Sequence, residues 1–163
     1  LTDMDVDGYN TNCHLRPPLR DQRDREALCQ GILSGSIDAI CSDHQPHDED
    51  AKASPFSETE AGASTIELLL PLTLDLVSKK KLSLTEALSS LTNKPAAILG
   101  IDAGTLSPGR AADIVIIDME KHFSVDQSCL ISAGKNTPFN GWELNGVVTN
   151  VFFSGQAVYQ NND

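Results

Sequence analysis

The stretch that decides the fold is residues 36–47, which read Ser36-Ile37-Asp38-Ala39-Ile40-Cys41 and then Ser42-Asp43-His44-Gln45-Pro46-His47. In the first half, Ile37, Ala39 and Cys41 stand at alternating positions, which predicts a short buried strand over 36–41. The polar second half follows the end of that strand. Because the functional sites of α/β proteins assemble at the carboxyl ends of parallel strands, residues 42–47 are the first candidate for a site.

The chain around this stretch divides into a helical part and a β-rich part. Helical periodicity predicts helices over Asp21–Leu33, Thr65–Lys79 and Pro95–Leu99, and the capping-box sequence Ser83-Leu84-Thr85-Glu86 starts another. The later β-type runs are Asp113–Ile117, Val147–Phe153 and Ala157–Tyr159, with hairpin-type pairs at Asn145-Gly146 and Ser154-Gly155. We therefore predict an α/β protein with one domain over residues 1–100 and an antiparallel β domain over residues 101–163.

The composition excludes several classes of function. The 163 residues carry 12 basic and 23 acidic side chains, a net charge of −11, and such a surface repels nucleic acid and anionic membranes. Four scattered cysteines without a Cys-x-x-Cys pair are typical of reduced thiols, so we expect a cytoplasmic protein. The chain opens on Leu1 without an initiator methionine or a signal peptide, which indicates part of a longer protein.

Asp43 and His47 are the strongest candidates for chemistry. A carboxylate directly after a strand, with a histidine four residues later, suits metal binding or general-base catalysis, and Pro46 stiffens the turn between them. The alternative is a solvated loop in which the aspartate caps a turn. Spacing alone leaves both interpretations open. His14 lies just before the Pro17-Pro18 pair and could reach the site, but a structural role is favoured. His44 receives no role.

The wording of this motif adds a resemblance. Ser42-Asp43-His44-Gln45-Pro46-His47, followed by Lys52, resembles the signature Ser/Thr-Asp-x-Ala-Pro-His-x4-Lys of dihydroorotases, which are cyclic amidohydrolases. Three further segments are similar to that family in order and spacing: Pro17-Pro18-Leu19-Arg20, Gly104-Thr105-Leu106 with Pro108-Gly109, and Lys135-Asn136-Thr137-Pro138-Phe139. The resemblance covers essentially the whole chain. It favours a dihydroorotase over other cyclic amidohydrolases such as hydantoinases or allantoinases.

The resemblance implies both a fold and an activity. Residues 1–100 would be the last β/α units of a (β/α)8 barrel, and residues 101–163 would supply strands of a small composite β-sandwich. The N-terminal remainder of the barrel would lie upstream. The implied activity is the zinc-dependent, reversible hydrolysis of dihydroorotate to N-carbamoyl-aspartate in pyrimidine synthesis.

The same resemblance implies roles for five residues. Asp43 matches the family's metal-contacting catalytic carboxylate, which can take a proton from zinc-bound water and return it to the leaving nitrogen. His47 matches a substrate-binding residue, and the backbone of Ala61 and Gly62 matches a main-chain substrate contact. Arg16 stands where the family carries a substrate-binding asparagine. An arginine there could block the pocket, but we expect it to bind the substrate carboxylate.

Departures from the family pattern define the alternative. The chain has no His-x-His pair, and zinc catalysis normally needs three protein ligands, so we expect the 163-residue chain to be inactive alone. Gln45 replaces the usual alanine, and the segment from His44 to Glu60 is also similar to noncatalytic dihydroorotase-like proteins that assist aspartate carbamoyltransferase. The alternative is therefore a noncatalytic scaffold partner of that enzyme, although the retained Asp43 favours catalysis.

Overall fold

The computed structural model describes residues 1–161, which form two compact units interleaved along the chain. The first unit contains Leu1–Gly31, Cys41–Leu69 and Ser124–Trp142, and the second contains Ile32–Ile40, Leu70–Phe123 and the chain from Glu143 onward. Each unit takes segments from both sides of residue 100. The domain boundary that the sequence predicts there stays a prediction.

The secondary structure is mixed, with short helices followed by long strands. The α-helices are α1 (Gln22–Ser34), α2 (Asp50–Ala53), α3 (Leu69–Ser78), α4 (Leu84–Leu91) and α5 (Asn93–Leu99). Short 3₁₀ segments cover Asp3–Tyr9, Thr11–Cys13, Phe56–Glu58, Ile66–Leu68 and Gln127–Cys129. The strands are β1 (Ile114–Ser124), β2 (Glu143–Phe153) and β3 (Gln156–Gln160).

Local sequence signals set the ends of several helices. The predicted capping box of α4 is confirmed, since the Glu86 amide donates to Ser83 Oγ at 3.2 Å and the Ser83 amide donates to Glu86 Oε2 at 2.8 Å. Helix α5 ends where Gly100 takes a left-handed φ of +67°. Helix α1 lies within one residue of the predicted bounds. The predicted helix over Thr65–Lys79 is present as a 3₁₀ turn that leads into α3.

The predicted strand over 36–41 is wrong, because these residues form no strand in the structure. A strand needs a neighbour that satisfies its backbone groups, and alternation in the sequence supplies only the side chains. Here the Ile40 amide donates instead to the Ser90 carbonyl at 3.1 Å. Ile37 and Ile40 still pack against the core of the second unit, which the buried residues Ile32, Leu82 and Ala87 form.

The three strands form one sheet in the order β1-β2-β3. Strands β2 and β3 pair antiparallel, with Val151 opposite Tyr159, through the Ser154-Gly155 turn. Both turn residues have positive φ, +50° and +80°, so the predicted hairpin is confirmed. The hairpin expected at Asn145-Gly146 is wrong, because this pair lies inside β2. Gly146 instead takes a φ of +91°, which side chains rarely adopt, and the Leu74 side chain of α3 packs where a Cβ would lie.

Each unit has its own fully buried side chains. Leu68 and Val125 are buried in the first unit, and Leu74 and Leu144 in the second. Among the helices formed within residues 1–161, none has both the length and the apolar character that crossing a bilayer requires.

Candidate active site

Residues 42–47, here called the site loop, run beside residues 61–65, here called the facing segment. His44 and Ala63 form an isolated parallel bridge, and the Gln45 amide donates to the Ala63 carbonyl at 2.8 Å. The Thr65 hydroxyl donates to the Ser42 carbonyl at 2.7 Å. These bonds lie within the first unit, and they bring the polar side chains of the site loop next to the predicted main-chain contact.

Asp43 is exposed on the site loop and has a backbone φ of +43°, a left-handed conformation in which aspartate is enriched. Its Oδ2 accepts a hydrogen bond of 3.0 Å from the Nε2 amide of Gln45. A carboxylate has about four lone-pair positions, so this bond leaves Asp43 able to accept a proton or to bind a cation.

His47 is half-buried, and its imidazole has a defined partner. Nε2 lies 3.0 Å from the Ala61 carbonyl oxygen. Because a carbonyl only accepts, Nε2 carries the proton, and in the neutral ring Nδ1 is an acceptor. The backbone amide of His47 donates to Oδ1 of Asn136 at 2.7 Å. Hydrogen bonds thus fix both the backbone of His47 and the Nε2 end of its ring.

Gly62 is buried against the site loop. Its φ is +130°, and a Cβ there would lie 2.6 Å from Cβ of Gln45 and 3.0 Å from Nε2 of His47, so only glycine fits. Its amide donates to the His14 carbonyl at 2.9 Å, and its carbonyl accepts from Nδ2 of Asn136 at 3.2 Å. The main-chain groups of Gly62, predicted to contact substrate, therefore bond within the protein.

Asn136 is the residue of this site that the sequence reasoning missed. It is buried, and its Nδ2 donates to the carbonyls of Gln45 (3.1 Å) and Gly62 while its Oδ1 accepts from His47. Its own carbonyl accepts from the Ser64 amide at 2.8 Å. One side chain thus ties the site loop to the facing segment. The segment around Asn136 was part of the family resemblance, which was the available signal, but it carried no role.

His44 points to a different set of partners. Its Nδ1 accepts from the amides of Thr65 (3.0 Å) and Ile66 (3.2 Å), so the ring proton is on Nε2. Nε2 lies 3.2 Å from Oγ of Ser132, and that hydroxyl donates to Oε1 of Glu67 at 2.9 Å. The contacts therefore define a directed chain of hydrogen bonds from His44 through Ser132 to Glu67.

Glu67 is held as a carboxylate at the end of this chain. Burial alone would raise the pKa of Glu67, but the amide and hydroxyl of Ser132 and the amide of Ile131 donate to it, and together they hold the pKa below its ordinary value. An ionised Glu67 in turn keeps the Ser132 hydroxyl oriented as its donor. His44 and Glu67 thus hold the site loop through a set of contacts that does not include Asn136.

Lys52, the lysine of the dihydroorotase-like signature, is buried. Its Nζ donates to the carbonyls of Thr11 at 3.2 Å and Glu60 at 2.6 Å. Burial lowers the pKa of Lys52. These contacts give the lysine a structural role, because it joins the segment after the site loop to the start of the chain.

Arg16 and His14 lie at a separate cavity of about 390 Å³, which Val6, Cys13, His14, Leu15, Arg16, Pro18, Leu19 and Phe56 line. Arg16 is exposed. His14 Nδ1 lies 2.8 Å from Oγ1 of Thr59, and its ring centroid is 4.9 Å from that of Phe56. Both contacts suit the structural role expected of His14. The structure thus brings Asp43, His47, Ala61 and Gly62 together and leaves Arg16 on a neighbouring cavity.

Residues 1–161 do not form a complete metal centre by themselves. Within residues 1–161, no three histidine, cysteine, aspartate or glutamate side chains come close enough to hold one ion. Zinc sites normally take three or four protein ligands, and Asp43 is the one ligand that the sequence predicts. A metal at Asp43 therefore requires ligands that the described residues do not provide.

Comparison with known proteins places this arrangement in a family. The model of the amidohydrolase family matches residues 10–158, which is most of the chain. The chain belongs to the amidohydrolase family. This amidohydrolase is similar to curated proteins named dihydroorotase: it is 42% identical to that of Geobacter sp. (strain M21) over 160 residues and 38% identical to that of Bacillus cytotoxicus over 161. Both alignments cover 98% of this chain and 38% of the relative, so the chain spans well under half the length of these relatives.

Solved structures show the same fold. L-hydantoinase (dihydropyrimidinase) from Arthrobacter aurescens superposes with a TM-score of 0.90 at 29% identity, over 100% of this amidohydrolase chain and 38% of that protein. A D-hydantoinase superposes with a TM-score of 0.88 at 24% identity, over 99% of this chain and 37% of its own. The mixed α/β arrangement is therefore an amidohydrolase-type fold.

Proposed function

We propose that the full-length protein is a dihydroorotase, which hydrolyses dihydroorotate reversibly to N-carbamoyl-aspartate. The observation that carries the proposal is the meeting of Asp43, His47 and Gly62 in one place, in a chain 42% identical to a dihydroorotase. Gln45 donates to Asp43, its side chain lies where a Cβ on Gly62 would be placed, and His47 contacts Ala61. A carboxylate, an imidazole and a glycine backbone so arranged suit the opening of a cyclic amide.

Each residue has a proposed role. Asp43 accepts the proton of the attacking water and returns it to the ring nitrogen, which would otherwise leave as a poor anion. His47, with its proton on Nε2, offers Nδ1 to a substrate N–H. Ala61 and Gly62 form the wall against which the substrate packs. Arg16 pairs with the substrate carboxylate, and its exposed guanidinium, two residues from the His14 carbonyl that holds Gly62, supports this role.

The proposal extends to the rest of the protein. Residues 1–100 supply the last β/α units of a (β/α)8 barrel, and residues 101–163 supply part of a small β-sandwich. The remaining barrel units and the other zinc ligands belong to the N-terminal portion, so residues 1–163 alone are inactive. The net charge of −11 supports a small-molecule substrate rather than nucleic acid or a membrane. Four scattered cysteines without a Cys-x-x-Cys pair support a cytoplasmic location.

The experiment is a metal and activity assay on the full-length protein. We expect elemental analysis to find stoichiometric zinc. We also expect hydrolysis of dihydroorotate, which is monitored by the loss of its ultraviolet absorbance. Residues 1–163, expressed alone, should neither hold zinc tightly nor turn over. A folded, full-length protein without zinc and without turnover contradicts the proposal.

A second candidate function has specific support. Gln45 donates to Asp43 where the family pattern has alanine, and Arg16 replaces the expected asparagine. Both departures favour a noncatalytic scaffold partner of aspartate carbamoyltransferase. Co-purification with that enzyme, together with absent turnover, would support this candidate. An intact His-x-His pair in the upstream sequence would favour the enzyme.

A further inference from the structure

The side chain of Gln45 lies between the candidate catalytic carboxylate and the position where a side chain on Gly62 would begin. Its Nε2 donates to Oδ2 of Asp43 at 3.0 Å. On the other side, a Cβ on Gly62 would lie 2.6 Å from Cβ and 2.8 Å from Oε1 of Gln45. The side chain of Gln45 is therefore bonded to Asp43 and occupies the place into which a side chain at position 62 would extend. Alanine, the residue of the family pattern, would end at Cβ and leave the outer part of this space open.

We propose that Gln45 competes with ligands for the candidate site: a ligand that binds at Asp43 and Gly62 must displace the Gln45 side chain from its bond to Asp43. The inference rests on the proposed function, in which those two residues contact the substrate. It predicts how tightly a ligand binds, and it makes no statement about the rate of the chemical step.

The backbone of Gln45 cannot move out of the way. Its amide donates to the Ala63 carbonyl at 2.8 Å, and its carbonyl accepts from Nδ2 of Asn136 at 3.1 Å. Both partners belong to the first unit, and Ala63 and Asn136 are buried. Displacement must therefore occur by rotation of the Gln45 side chain alone. That rotation breaks its bond to a charged acceptor, and such bonds are stronger than bonds between neutral groups.

The displacement has a direction that can be measured. A ligand that binds the wild-type protein loses part of its interaction free energy in breaking the Gln45–Asp43 bond. Gln45→Ala removes both the bond and the occupied volume, so the same ligand should bind more tightly. A hydrogen bond to a charged group corresponds to a change of about tenfold or more in affinity.

The test uses the full-length protein and N-carbamoyl-aspartate as the ligand, with calorimetry for affinity and steady-state kinetics for KM and kcat. Gln45→Ala is the main variant, and Gln45→Ser is a second variant in case alanine destabilises the loop. Gln22→Ala is the matched control, because Gln22 Nε2 also donates to a carboxylate, Oε1 of Glu26 at 2.6 Å, on the exposed surface of α1. Melting temperatures establish that each variant folds.

We expect Gln45→Ala to bind N-carbamoyl-aspartate about tenfold more tightly than the wild type and to lower KM, with Gln22→Ala unchanged. If the Gln45→Ala protein binds N-carbamoyl-aspartate and the wild type shows no measurable binding, the inference is supported most strongly. If the wild type binds and a folded Gln45 variant binds equally or more weakly, the inference is wrong and the proposed function stands. If both proteins fold and neither binds nor turns over, the proposed function fails, and the inference fails with it.

Discussion

Asn136→Ala is expected to loosen the site loop while the protein stays folded. The substitution removes three hydrogen bonds, from Nδ2 to the carbonyls of Gln45 and Gly62 and from the His47 amide to Oδ1. A hydrogen bond between neutral groups contributes about 0.5–1.5 kcal/mol. The three together contribute about 1.5–4.5 kcal/mol to holding the loop against the facing segment. This raises the equilibrium for local opening by roughly 10- to 1000-fold.

Amide hydrogen exchange measures this opening directly. In the full-length protein, peptides that cover residues 42–64 should exchange faster in Asn136→Ala by roughly the factor just given, because exchange follows the free energy of local opening. The control is Asn145→Ala, which removes one side-chain bond, from Nδ2 to the Met119 carbonyl at 3.2 Å, in the second unit. Unchanged protection of residues 42–64 from exchange in Asn136→Ala, or an equal loss of protection in both variants, would refute the role of Asn136 in holding the site loop to the facing segment.

Three further predictions concern the site loop and its surroundings. In the full-length protein, Asp43→Ala should lower kcat at least 100-fold with an unchanged melting temperature, since positioned proton transfer contributes about 10²–10⁴-fold; a variant that keeps a tenth of the wild-type rate contradicts the role. Arg16→Asn should raise the KM for dihydroorotate about ten- to hundredfold, by loss of a charge-assisted contact, and an unchanged KM would assign Arg16 to another purpose. The pKa of Glu67 lies below its ordinary value of 4.5, so its ionised form stabilises the fold at neutral pH, and this contribution is lost as the pH falls through the lowered pKa. Glu67→Gln should therefore show a shallower loss of melting temperature between pH 7 and strongly acidic pH than the wild type, and parallel curves would contradict the shift.

Features that depend on a few adjacent residues could be predicted from the sequence. The start of α4 follows from the mutual bonds of Ser83 and Glu86, which lie three residues apart. The turn between β2 and β3 follows from Ser154 and Gly155, because both tolerate the positive φ that a tight hairpin needs. In both cases the determining interactions lie within one turn of the chain.

Features that depend on residues far apart in the sequence could not be predicted from it. The alternation over 36–41 had no way to reveal that no neighbouring strand pairs with it in the described residues. Gly146 takes a φ of +91° inside β2 and packs against Leu74, and the sequence pattern of a hairpin turn does not reveal either feature. Asn136 bonds to Gly62 and His47, which lie 74 and 89 positions earlier in the sequence. Its role therefore follows only from the folded structure.

The buried ammonium of Lys52 makes this residue a chemical reporter of opening. Its Nζ is enclosed between the carbonyls of Thr11 and Glu60, and the residue is 9% exposed, whereas Lys80 and Lys81 are exposed. An acylating reagent added to the folded protein should therefore modify Lys80 and Lys81 readily and Lys52 slowly. Because an acylated Lys52 could not rebuild its two bonds in the space available, each modification would trap an opened molecule. The rate of Lys52 labelling would then count how often the segment behind the site loop separates from the start of the chain.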